Sequence, residues 1–283
     1  MSIHYLSKIN ANERDSHVLF DEVPHIYTVD GDDSFMSVTT WNHSHFQKFD
    51  ADAIIKKMMK SKNWKPGYKY YGKTSLEIKK MWDDNRDQAA AAGTKMHYDI
   101  ECFYNHIKVE NNSIEFKYFL EFDDWVKGET NMIPFRTEMI VWDKELKICG
   151  SIDMLYRNEF GELELYDWKR CKEIKKTGFG WAKTECIEHL PDSNYWHYAL
   201  QLNTYKYIIE KNYGEKIKGM YLVCMHPDNN NKSYLKYKVP HLKEELDDLM
   251  KLRKEMVEKE PPKKHFNVHD TEGNLLKIKL YYD

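Results

Sequence analysis

Three neighbouring segments in the middle of the chain limit its fold more than any other feature. They are "FRTEMIVWD", "LKICGSIDMLYR" and "ELELYDWKR", and the turns between them, Asp143–Lys144 and Glu159–Gly161, are short. All three are strand candidates, and the third has the period-2 alternation of a half-buried strand. Strands joined this closely run antiparallel, so the centre of the chain reads as a three-stranded meander. In the third segment Leu163 and Leu165 alternate with Glu164 and Tyr166, and continuing that rhythm puts Asp167 and Lys169 on the leucine face. Burying a carboxylate and an ammonium beside a core costs several kcal/mol unless partners compensate them. The second segment repeats the anomaly: Ser151, Asp153 and Leu155 fall on one face by the same count, and antiparallel pairing brings Asp153 towards Asp167.

Around the meander the pattern is mixed. "HVLFDEVPHIYTVDGDDSFMSVTTW" reads as two short strands about a turn at Asp30–Gly31. Helical spacing begins at Asp50, a ready cap, and returns from Ser75 to about Tyr104. A helix from about Ser193 to Asn212 follows, then strands in "KGMYLVCMH" and "SYLKYKV", a charged helix from His241 to about Glu258, and a last strand in "LLKIKLYY". The expectation is an α/β (α+β) chain with a mixed sheet flanked by helices. An N-terminal hairpin and basic helical lobe over 1–82 would precede a core over 83–283.

With 283 residues, 41% hydrophobic and 31% charged, the chain can bury a sizeable core and does not have a disordered composition. A net charge of −3 means that any surface for nucleic acid must be local. No apolar run is long enough for a membrane span, and the first residues lack the apolar stretch of a secretory signal, so a soluble intracellular protein is expected. Five scattered cysteines without a CxxC pair suit reduced thiols, not a disulfide framework, a zinc ribbon or an iron–sulfur cluster.

Two neighbouring carboxylates repel unless a cation lies between them, and hard oxygen donors favour Mg²⁺ or Mn²⁺. Here the residues carry a resemblance. G-x-x-D, a turn and then D-x-K is similar to the signature of the PD-(D/E)XK nuclease superfamily, and "DWK" resembles its RecB-like branch. That branch has a helix motif G-x-x-x-H-x-x-x-E, matched by Gly93, His97 and Glu101, and a later Q-x-x-x-Y, matched by Gln201 and Tyr205; Glu138 supplies the acid common on the preceding strand. The matches run in order over roughly residues 93 to 205.

The resemblance implies a restriction-endonuclease-like core and a metal-dependent DNA exonuclease acting on single-stranded or frayed ends in replication, repair or recombination. It assigns His97, Asp153, Asp167 and the backbone carbonyl of Trp168 to Mg²⁺ or Mn²⁺. Lys169 becomes the catalytic lysine, Glu101 and Glu138 supporting acids, and Gln201 and Tyr205 holders of the substrate backbone. Replication or recombination proteins would be its partners. A structure-specific endonuclease and an inactive nucleic-acid-binding module stay open as alternatives. Each residue also has an ordinary reading. His97 and Glu101 make an i,i+4 pair, and Gln201 and Tyr205 can border the core. Arg170, where the family often has a small hydroxyl residue, is expected to tolerate change. Two sets of cations are open to either a solvated or a DNA-binding role: Lys172, Lys175, Lys176 and Lys183 after the meander, and the lysines of 50–82, interleaved with Trp64, Tyr68, Tyr70 and Tyr71.

Overall fold

The computed structural model describes residues 4–21 and 24–259, with the backbone of 268–269 and 275–276. The meander forms as expected. β4 (Ile133–Asp143) and β5 (Ile148–Arg157) pair antiparallel along their length, and β6 (Leu163–Lys169) pairs antiparallel with the far end of β5. Ahead of them come α1 (Tyr5–Ile9), β1 (Val18–Asp21), β2 (Ile26–Val29), β3 (Met36–Ser37), α2 (Val38–His43), α3 (Ala51–Met59), α4 (Ser75–Tyr104) and α5 (Ile114–Glu129). After them follow α6 (Asn194–Asn212), β7 (Ile217–Cys224), β8 (Leu235–Lys238) and α7 (Lys243–Lys259). The main sheet has the order β3-β5-β6-β7-β8 with β4 on the other edge of β5; β3–β5 and β6–β7 are parallel, so the sheet is mixed. The protein is α/β, a mixed sheet flanked by helices.

One consequence of that order positions the site. β4 occupies one whole edge of β5. On the opposite edge β3 takes Ile148 and Cys149, and β6 takes Met154 to Arg157. Residues 150–153 between them have no strand partner on that side, which leaves a gap in the sheet at Asp153.

Sequence periodicity misreads β6 as half-buried. Leu163 and Leu165 pack in a core with α6 residues such as Leu202, and Tyr166 and Trp168 pack on the other side with Phe119 and Phe122 of α5. Both faces are covered, and α5 was not anticipated from the sequence. The alternation in β5 also slips. Ile152 and Leu155, three apart, share the α6-side core, while Met154 and Tyr156 belong to the α5 side. Leu155 therefore does not continue a simple Ser151–Asp153 face. The slip sits opposite Glu138, whose φ is +43°, a left-handed conformation uncommon for a residue with a side chain.

Other local expectations meet mixed outcomes. Asp50 caps α3 by accepting from the Ala53 N–H at 2.9 Å, and Thr74 and Glu77 close a capping box on α4. Asp30 and Gly31, both at positive φ, do form a tight turn, but it joins Val29 to an isolated bridge at Asp32; β1 and β2 pair antiparallel with Asp21 opposite Ile26, ahead of that turn. The expected boundary at 82/83 falls inside α4, and β3, from the N-terminal part, belongs to the main sheet. Of the last expected strand, Leu275–Leu276 pairs with Val268–His269, and the rest lies outside the described residues. Among the described residues no helix is long and apolar enough to cross a membrane.

Candidate active site

The gap in the sheet collects the anomalous charges. Asp153, at the point where β5 and β6 part, accepts the Trp168 N–H on Oδ2 at 2.8 Å, a bond that stands in for the lost ladder. The flanking pairs Thr137–Met154 and Met139–Ile152 put Glu138 opposite Asp153, and Glu138 accepts from the Ser151 hydroxyl at 2.8 Å. From α4, His97 reaches across. Its Nε2 lies 3.0 Å from the carbonyl oxygen of Trp168, and its Nδ1 lies 3.5 Å from Asp153 and 3.8 Å from Glu138. One ligand atom from each of His97, Glu138 and Asp153 falls within 4.8 Å of the others.

Asp167 takes a different course from the one expected. Its Oδ2 is enclosed, 2.5 Å from Nζ of Lys169, and has no aligned hydrogen-bond donor. The compact donor set is thus His97, Glu138 and Asp153, with Glu138 where the sequence reading had Asp167. Glu101, one turn along α4 from His97, also lies outside that set. Lys169 lies 4.4 Å over the ring of Tyr198 on α6. An imidazole, two carboxylates and a backbone carbonyl beside them fit a hard divalent cation.

The titration behaviour follows from this crowding. Burial raises the Asp153 carboxyl to about 7, with Asp167 and Glu138 adding to it against the pull of His97. Burial works against charge on His97, but Asp153 and Glu138 outweigh it and hold the imidazole protonated up to about 9. Lys169 behaves likewise: burial opposes its charge, yet Asp167 and Asp153 lift it above the ordinary lysine value, so it is an ammonium.

Tyr205 is 3% exposed and packs under Gly150, the glycine of G-x-x-D. A Cβ at Gly150 would lie 2.9 Å from Cε1 of Tyr205 and 3.2 Å from Cγ2 of Val38. Gln201 donates to the Tyr205 hydroxyl at 3.2 Å. Q-x-x-x-Y here braces the floor of the gap, and Tyr205 is too enclosed to meet a substrate. Gly150→Ala should therefore destabilise the protein by ~1–3 kcal/mol through overpacking, measured as a lower urea midpoint; an unchanged midpoint would refute the packing argument.

Several participants escaped the sequence reading. Tyr198, whose ring lies under the Lys169 ammonium, carries no motif signal in the sequence. His43 and His197, rings 5.4 Å apart, stand near Lys169, whose charge helps to lower the His43 pKa after burial and His197. Arg170 is not free to vary: its Nε lies 2.5 Å from the carboxylate of Glu115, a buried residue of α5. In the basic N-terminal segment Trp64 packs near Tyr68 and Tyr71, and Trp82 donates to the Tyr70 hydroxyl at 2.9 Å, so most of those rings serve one another.

No protein-family model and no curated protein matches the chain. Among solved structures it is similar to one described as "Crystal structure of SSO0001", 15% identical over 92% of this chain and 86% of that one, with a TM-score of 0.35. A likeness this distant carries no argument about activity.

Proposed function

We propose that the protein is a metal-dependent DNA nuclease of the PD-(D/E)XK type, similar to the RecB-like branch, which shortens DNA from single-stranded or frayed ends. The observation that carries the reading is the convergence of His97, Glu138 and Asp153 within 4.8 Å at the sheet gap, with Lys169 at the end of the adjoining strand. His97, Glu138 and Asp153 would hold Mg²⁺ or Mn²⁺, with the Trp168 carbonyl beside them. A bound cation supplies charge neutralisation for a phosphodiester oxygen and lowers the pKa of water.

The chain's own groups divide the remaining work. Hydrolysis forms a bond from water oxygen to phosphorus and breaks the bond to the leaving 3′ oxygen, which takes up a proton. Lys169, an ammonium, is suited to orient the water and to offset the charge that accumulates on the non-bridging oxygens, not to act as a base. Asp167 fixes the direction of that ammonium. Asp153 has two tasks, since the oxygen near His97 also fastens Trp168.

The test is degradation of 5′-labelled linear single strands, duplex and circular single strands with Mg²⁺, Mn²⁺ or EDTA. Metal-dependent shortening of linear strands is expected. Cut circles would favour an endonuclease, and folded protein that binds but never cleaves DNA would leave only a binding module.

Metal affinity should depend on pH with a defined sign. A cation displaces the proton from His97, held up to about 9, and below about 7 one from Asp153 as well. Apparent Mn²⁺ affinity should rise with pH, by about 100-fold per unit below 7, where two protons leave, and about tenfold per unit between 7 and 9. Calorimetric titrations across this range check it; a flat profile would remove His97 from the ligand set.

A further inference from the structure

The loop that follows β6 carries the sequence Gly178-Phe179-Gly180-Trp181, and its rings stand in solvent: Phe179 is 113% exposed and Trp181 61%. Isolated exposed rings are common on protein surfaces. These two are presented by a built backbone. A Cβ at Gly178 would lie 1.7 Å from the carbonyl oxygen of Asp192, so only glycine allows that approach. The returning arm is zipped to the outgoing one by Asp192 N–H to the Gly180 carbonyl at 2.8 Å and Ala182 N–H to the Leu190 carbonyl at 2.9 Å. The rings thus project from a braced hairpin.

That hairpin is anchored beside the site. Asn194, at the start of α6, accepts from the Lys175 N–H at 2.8 Å and donates to the Glu173 carbonyl at 2.7 Å. Tyr198, one helical turn on and on the same side of α6, lies 4.4 Å from Nζ of Lys169. The base of the loop is therefore about one turn, ~5 Å along the helix, from the residue that contacts the candidate catalytic lysine. The outgoing arm is basic: from Lys172 to Lys183 there are four lysines and one glutamate, with Lys172 paired to Asp228 and Lys175 to Glu173, while the returning arm carries Glu185, Glu188 and Asp192.

We infer that Phe179 and Trp181 form a stacking platform for the bases of an unpaired DNA strand, whose backbone lies along the loop lysines on its way to the sheet gap. The inference rests on the nuclease reading above and adds the residues that would receive the unpaired strand. Flat exposed rings interleaved with cations suit single strands, because an unpaired base offers its face to a ring and the lysines meet the phosphates without reading sequence. A duplex keeps those faces stacked inside itself. This segment joins two exposed rings to a basic outgoing arm, whereas the rings of the N-terminal segment largely pack on one another.

The test measures anisotropy of a labelled oligothymidine and of a blunt duplex, in EDTA so that no cleavage intrudes, with wild-type protein and with Phe179→Ala/Trp181→Ala. The double variant should bind the single strand at least about tenfold more weakly, with duplex affinity unchanged. Oligothymidine should also quench the tryptophan fluorescence of wild-type protein, and Trp181→Phe should lose that quenching while still binding. Equal single-strand affinity in wild type and double variant would overturn the platform and leave the nuclease reading intact. Equal weakening for both DNA forms would overturn it in favour of general electrostatic docking. If wild-type protein binds neither form, the nuclease reading itself fails and this inference with it.

Discussion

Asp153→Asn should abolish DNA degradation, with a loss of at least about 1,000-fold in rate, the scale of several kcal/mol of charge stabilisation withdrawn from the transition state. The substitution is chosen because it separates charge from structure. Asparagine keeps an oxygen able to accept the Trp168 N–H, so the pin between β5 and β6 survives. What disappears is one of two facing carboxylates in the candidate metal set. Mn²⁺ should raise the melting temperature of wild-type protein by linkage and leave that of the variant unmoved. Cleavage within tenfold of wild type, with the metal-induced shift retained, would exclude Asp153 as a ligand. The charge-neutral design matters, since a simple loss of activity on truncation to alanine would also follow from parting the two strands.

Lys169→Met carries the largest expected cost in stability. Asp167 is 1% exposed, and Lys169 is the cation against its enclosed oxygen. Removing only the lysine leaves a buried uncompensated carboxylate, a change that costs ~3–5 kcal/mol. Lys169→Met/Asp167→Asn should recover most of that loss, because no charge is then stranded. Cleavage should stay abolished in both variants. Chemical denaturation together with a cleavage assay reads the two effects separately. If the double variant regained activity along with stability, Lys169 would be a structural counter-ion and the catalytic assignment would fall. If the single variant were as stable as wild type, water must already reach Asp167, contrary to its burial.

The sequence went far on local matters. Its helix cap at Asp50, the antiparallel meander and α6 follow from short-range chemistry: a side-chain oxygen for free N–H groups, alternation for strands, a short turn between them. The odd charges at Asp153, Asp167 and Lys169 were legible because a polar residue within an apolar alternation stands out against its neighbours. Periodicity failed at Leu155, because it assumes a regular strand and cannot register the left-handed Glu138 opposite. It failed for Tyr166 and Trp168 as well, since amphipathic aromatics look alike in sequence whether a helix covers them or not.

What the sequence alone determined was the inventory and its order: a helix with His97 and Glu101, a strand carrying Asp153, a strand carrying Asp167 with a lysine two residues on, and a helix with Gln201 and Tyr205. Which members meet was decided by tertiary structure. β4 fills one edge of β5 while β3 and β6 share the other, and this open stretch admits His97 to Asp153 and Glu138. Burial then chose between the acids. Asp167 lies enclosed against Lys169, whereas Glu138, left-handed at its backbone and held by Ser151, faces His97. Spacing along a chain fixes which residues can share a face, but the divergence of two strands and the depth of each carboxylate depend on partners far away in sequence, and so only the folded chain sets them.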